Sequence, residues 1–91
     1  MRQAIYKVPQ GKLLKIFLDA EGGHIASVKI TGDFFIHPEE SITTLEAALT
    51  GQLLEETTLK KMIEGVIERE RLELFGVDAE SIAKTIMMAH T

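Results

Sequence analysis

A chain of 91 residues can build one hydrophobic core, with residues 1–91 as a single domain, but not a deep cleft of its own. With 45% hydrophobic and 26% charged residues it has the balance of a soluble globular domain, and its high, regularly spaced apolar content argues against disorder. A net charge of −4 argues against nucleic acid as a partner, the lack of cysteine removes disulfides and thiolate chemistry, and no apolar run reaches the roughly 18 residues of a membrane span.

No leader pattern opens the chain, so a cytoplasmic location is the expectation. Met1 and a one-domain length suit a whole small protein and an excised domain equally. Lys7, Lys12, Lys15 and Lys29 all lie in the front third and leave room for a local basic patch.

Extended segments come first. Residues 4–8 favour a short strand through Ile5, Tyr6 and Val8, and Pro9 ends it for want of an N–H. After a Gln10-Gly11 turn, residues 12–20 predict a longer strand. Leu14, Ile16 and Leu18 fall on its core face; Leu13, Lys15, Phe17 and Asp19 fall on a mixed second face. Glu21-Gly22-Gly23 is a hairpin loop. The strand returns over 25–30 with Ala26, Val28 and Ile30 on one face, and Gly32 marks a bulge or bend.

Helical spacing then takes over. Pro38-Glu39-Glu40 reads as a first helical turn, followed by Ile42, Leu45 and Leu49 and a stop at Gly51. Residues 52–56 predict a connector whose Leu53 and Leu54 tuck inward. A second helix is expected over 57–74, with a stripe of Leu59, Met62, Ile63, Val66 and Ile67 and a closing Gly76. Gly65 inside it points to a close neighbour. Asp78 caps a third helix, with Val77 and Ile82 as a hydrophobic staple. The expectation is an α+β fold: a three-stranded antiparallel sheet followed by three helices packed on it.

Chemistry is sparse in this pattern. Gly11-Lys12 lacks the spacing, the hydroxyl residue and the following helix of a phosphate loop, and a turn with an exposed lysine explains it. His24, His37 and His90 lack second ligands at metal spacing. Asp33, between Gly32 and two Phe residues, has no partner acid, histidine or metal nearby in sequence, and reads first as a turn aspartate bonding backbone N–H groups. Phe34 and Phe35 point to opposite faces if extended: one enters the core, and the other is covered or serves as an interface anchor. No catalytic set and no metal site is expected.

Two motifs, with a third weaker one, give the chain a resemblance. Lys7-Val8-Pro9-Gln10-Gly11-Lys12-Leu13 is similar to a K-x-P-x-G-K-L opening. Ile30-Thr31-Gly32-Asp33-Phe34-Phe35 is similar to an I-x-G-D-F-F hairpin end. Phe75-Gly76-Val77 before the Asp78-capped helix is the third. Together they resemble the small accessory domain of lipoate–protein ligases, which occurs at the C-terminus of a longer chain or as a separate small subunit.

The resemblance implies a fold akin to iron–sulfur scaffold proteins, without their chemistry, since cysteine is absent. It also implies a non-catalytic role. A catalytic subunit, the other half of a heterodimer, would hold lipoate, ATP and Mg and form the lipoyl-adenylate that precedes protein lipoylation. This chain alone would bind no cofactor. Lys7, Gly11, Lys12, Gly32, Asp33, Phe34 and Phe35 match the motifs and become candidate contacts to partner or substrate, with Lys7 or Lys12 adding positive charge near the ATP phosphates. The other reading of the same features is a non-catalytic interaction module of this fold serving another partner in sulfur or cofactor metabolism. A free-standing small enzyme is the third, and it lacks a nucleophile–base pair.

Overall fold

The computed structural model describes residues 1–90. Three long strands form an antiparallel sheet in the order β1 (Arg2–Lys7), β2 (Leu13–Glu21) and β3 (His24–Gly32). Three helices follow: α1 (Ser41–Leu49), α2 (Glu56–Glu70) and α3 (Ala79–His90). The α+β class and the three-stranded sheet agree with the sequence reading.

Two further strands were not expected. β4 (Phe35–His37) and β5 (Glu73–Phe75) form a separate two-stranded antiparallel ribbon. The second helix therefore stops at Glu70 rather than near 74. Arg71 adopts the left-handed conformation at φ 54°, and the Leu72 N–H turns back onto the Ile67 carbonyl at 2.9 Å. This left-handed ending satisfies the last carbonyls of a helix and reverses the chain. It releases Leu72 and Leu74 from a helical stripe into extended chain, and Gly76 ends the ribbon rather than the helix.

The core lies between one face of the sheet and the helices. Leu14, Ile16 and Leu18 are buried against Leu45, Leu49, Leu59, Ile63, Val66, Ile82 and Ile86. On β3 the expected phase fails at one point. A bulge opposite Asp19 and Ala20 leaves Ala26 unpaired, so Ile25, Val28 and Ile30 are buried and Ala26 is exposed. One extra residue flips the alternation beyond it.

Three local readings also change. The His37–Pro38 peptide is cis, and α1 begins at Ser41, so Pro38, Glu39 and Glu40 form a turn before the helix and not its first turn. Leu54 packs inward but Leu53 stays 46% exposed, because it pairs across a bridge with His24 at the hairpin tip. Gly65 has no atom within 4 Å of where a Cβ would stand, so no neighbour demands it.

Other signals hold. Gly22 and Gly23 take positive φ in the hairpin. The Asp78 carboxylate accepts the Ser81 N–H at 2.8 Å, with Val77 and Ile82 buried on either side. No helix among the described residues is long and apolar enough to cross a membrane.

Candidate functional site

The three motifs, far apart in sequence, meet at one corner of the fold. The first supplies the turn between β1 and β2. Its Gly11 N–H donates to Val8 O at 2.8 Å, and the Lys7 ammonium donates to the carbonyls of Gly11 at 2.6 Å and Val8 at 3.1 Å. Lys7 therefore pins its own turn. The second motif is tied to the first through backbone: the Asp33 N–H donates to Leu13 O at 3.0 Å. The third is tied in the same way, with the Lys12 N–H donating to Gly76 O at 2.8 Å.

The glycines explain why the strands can approach so closely. Gly32 has φ +150°, and a Cβ there would run into the Leu13 carbonyl. Gly76 has φ +92°, and a Cβ there would meet the Lys12 Cβ at 2.8 Å and press on its Cγ. Gly11 faces Gly76 from the other side, with its Cβ position 2.5 Å from the Gly76 carbonyl oxygen. Each motif glycine is thus a contact point between motifs.

The ribbon sets the aromatic face of the corner. Phe35 pairs directly with Phe75, Ile36 with Leu74 and His37 with Glu73. Alternation sends Ile36 into the core, with Leu74 packed against it, and turns Phe35 and Phe75 outward at 73% and 54% exposure. Phe34 packs half-buried against the core. The Phe pair of the sequence therefore splits into one packing residue and one exposed one. A shallow hollow lies beside it, lined by Ile30, Thr31, Gly32, Phe34, Glu39 and Ile42.

Charge around this face is unneutralised. Lys12 is exposed, its stem crossing Gly76, and its ammonium has no partner among the described residues. The Asp33 carboxylate likewise has no partner among them, so the expected turn bonds from Asp33 to backbone N–H groups do not form. Its own N–H, rather than its side chain, makes the turn contact. His24, His37 and His90 sit on separate elements, and no group of three or more potential metal ligands occurs among the described residues.

Lys7, Gly11, Lys12, Gly32, Asp33, Phe34 and Phe35 are thus brought together at the corner. Two participants escaped the sequence reading of the site. Phe75 is one; it stands in the third motif but not among the candidate contacts, and the short alternation of Leu72, Glu73, Leu74 and Phe75 that exposes it is one a helical stripe also accommodates. Glu46 is the other. Its carboxylate reaches from α1 to accept the Ile30 N–H at 2.8 Å, filling an edge position of β3 just before the second motif. A helical glutamate outside the apolar stripe gives no sequence signal for that.

An arrangement of exposed aromatics, an unpaired lysine and an unpaired aspartate can bind a protein surface. It contains no nucleophile–base pair and offers no enclosed space for a reaction.

One relative, lipoate-protein ligase A subunit 2 of Thermoplasma acidophilum, is 42% identical over 50 residues, which are 55% of this chain and 52% of that protein. The chain thus spans about half the length of this curated relative. The fold is similar to a chain from the solved archaeal lipoylation system of T. acidophilum, a bipartite lipoate protein ligase and its E2 lipoyl domain. The TM-score is 0.74, at 28% identity over 93% of this chain and 90% of that one. Residues 5–86 match the family described as the bacterial lipoate protein ligase C-terminus, and the chain belongs to that family.

Proposed function

We propose that this chain is the non-catalytic accessory part of a lipoate–protein ligase, working with a separate catalytic part in the ATP-dependent activation of lipoate to lipoyl-adenylate. The carrying observation is the corner itself. Three motifs that resemble those of the family are held together by backbone hydrogen bonds, and they surround exposed Phe35 and Phe75 rather than a reaction pocket. In this reading lipoate, ATP and Mg belong to the catalytic part, the pair is a heterodimer, and its setting is the cytoplasm. The kinship to iron–sulfur scaffold proteins is part of the reading and extends to chain topology alone, since no cysteine is present.

Physics gives such a domain a role without giving it chemistry. Seated over the catalytic part, it would exclude water from a reactive acyl-adenylate and hold a phosphate-binding loop in its closed form. Lys12 is the motif lysine free to contribute charge there, because the Lys7 ammonium is already engaged by the Gly11 and Val8 carbonyls. The test mixes this chain with a catalytic part and measures lipoyl-adenylate formation against the catalytic part alone. A gain supports the reading, and no gain removes it. With Lys12→Ala in the reconstituted pair, a slower adenylation rate supports the charge role, and an unchanged rate eliminates it.

A further inference from the structure

The sheet of this fold is covered on one face only. α1 and α3 pack on the face of Leu14, Ile16 and Leu18. The opposite face carries Ile5 beside Lys15, Phe17 beside Lys29, and Leu13 beside Lys7, read from the strand register. No element among the described residues lies over it, and Ile5 and Leu13 remain 53% and 38% exposed. The lysines are organised there: the Lys15 ammonium stands 5.0 Å from the centre of the Phe17 ring. The acids of the face, Asp19 and Glu21, lie at its far end, with Asp19 bonded to Ser27 and 3.7 Å from the N-terminal amine. A chain of net charge −4 therefore presents a basic face with an apolar centre.

The area of the motif corner is a second observation. A fully buried Phe contributes roughly 150–250 Å², so two rings at 73% and 54% exposure offer on the order of 250 Å². A stable protein interface takes about 800 Å² from each partner. The corner alone falls well short. The surface continues through Leu13, whose carbonyl holds Asp33 and whose side chain opens onto the sheet face.

Resting on the accessory role proposed above, we infer that the catalytic part docks across one continuous surface, from Phe35 and Phe75 over Leu13 to the open sheet face. It sets an apolar patch on Ile5 and Phe17 and carboxylates against Lys15 and Lys29. Charge complementarity fixes the kind of contact: an acidic rim around an apolar centre.

The experiment is calorimetric titration of the full chain into the purified catalytic part, at about 50 mM and about 500 mM salt, with salt chosen to screen exposed charges. Lys15→Glu/Lys29→Glu is expected to raise Kd by about tenfold or more at low salt, and by less at high salt. Lys15→Gln/Lys29→Gln, which keeps the apolar stems, is expected to shift Kd in the same direction by a smaller factor and serves if the acidic pair disturbs the sheet. Wild-type binding with both variants unchanged overturns the inference and leaves the accessory role standing. Wild-type affinity independent of salt also overturns it. Self-association of the free chain that the double variant abolishes assigns the face to a second copy and overturns it. Failure of the wild-type chain to bind at all removes the accessory role and the inference together.

Discussion

Replacing Gly32 by alanine tests the construction of the motif corner most sharply. At φ +150° an alanine lies in a region essentially reserved for glycine, at a strain of about 1–3 kcal/mol. Its Cβ would also collide with the Leu13 carbonyl, which is backbone and cannot swing aside as a side chain would. Relieving that collision breaks the bond from the Asp33 N–H to Leu13 O, whose loss costs about 0.5–1.5 kcal/mol. Together the two effects come to about 2–4 kcal/mol. A domain of 91 residues has about 5–14 kcal/mol in total, so the loss is a large fraction of the whole. Urea denaturation reads it directly, and a melt should fall by at least about 8 °C. Gly65→Ala is the matched control. It sits exposed within α2 with open space at its Cβ position, and the substitution should stabilise by about 0.5–1 kcal/mol. A Gly32→Ala loss below about 1 kcal/mol would refute the close-approach argument, since strain alone accounts for that much. So would destabilisation by Gly65→Ala.

Phe35→Ser should leave the melt within about 0.5 kcal/mol, because the ring faces solvent, yet weaken binding to the catalytic part by at least about 1 kcal/mol. Paired melting and calorimetry check both halves. Glu46→Ala strands the Ile30 N–H at the edge of β3 and should destabilise by about 1–3 kcal/mol, whereas Glu46→Gln should retain most of the stability in the same denaturation assay. Glu55 begins α2. Hydrogen bonds from the Thr58 hydroxyl and then the Thr58 N–H hold its carboxyl below the ordinary glutamate range. A depressed folded-state pKa gives stability that is present above the unfolded value and lost as pH falls through the folded one. The gap between wild type and Glu55→Ala in melting temperature should therefore be open at neutral pH and close as the solution is acidified below the glutamate range.

The long-range plan was legible because it rests on strong periodicities. Leu14, Ile16 and Leu18 alternate cleanly, Leu59, Ile63 and Val66 recur at helical spacing, and Gly22-Gly23 fixes the hairpin between β2 and β3. The missed ribbon depends on pairings only the fold can make. β4 and β5 have three residues each and lie 36 positions apart at their closest ends, from His37 to Glu73, so neither carries a pattern of its own. Arg71 in the left-handed conformation ends α2 where glycine would have announced the stop. The bulge at Ala26 is of the same kind: the register across β2 decides it, and the β3 segment read alone predicts the wrong face. At the site, motif spacing picked out residues that the fold brings to one corner, yet their bonding was hidden. Of Lys7 and Lys12, the two candidates for charge near phosphate, Lys7 is bonded to its own turn; Asp33, expected as a side-chain acceptor, contributes its N–H. Phe75 was visible as part of the third motif, but its place beside Phe35 needed the cross-strand pairing.

Reconstitution with a catalytic part tests the central claim most directly. Lipoyl-adenylate formation from lipoate and ATP is measured for the catalytic part alone, for this chain alone, and for the two mixed. The account predicts no product from this chain, and a rate from the mixture that exceeds the catalytic part alone and saturates with added chain. A mixture no faster than the catalytic part alone, or adenylate formed by this chain unaided, would contradict it.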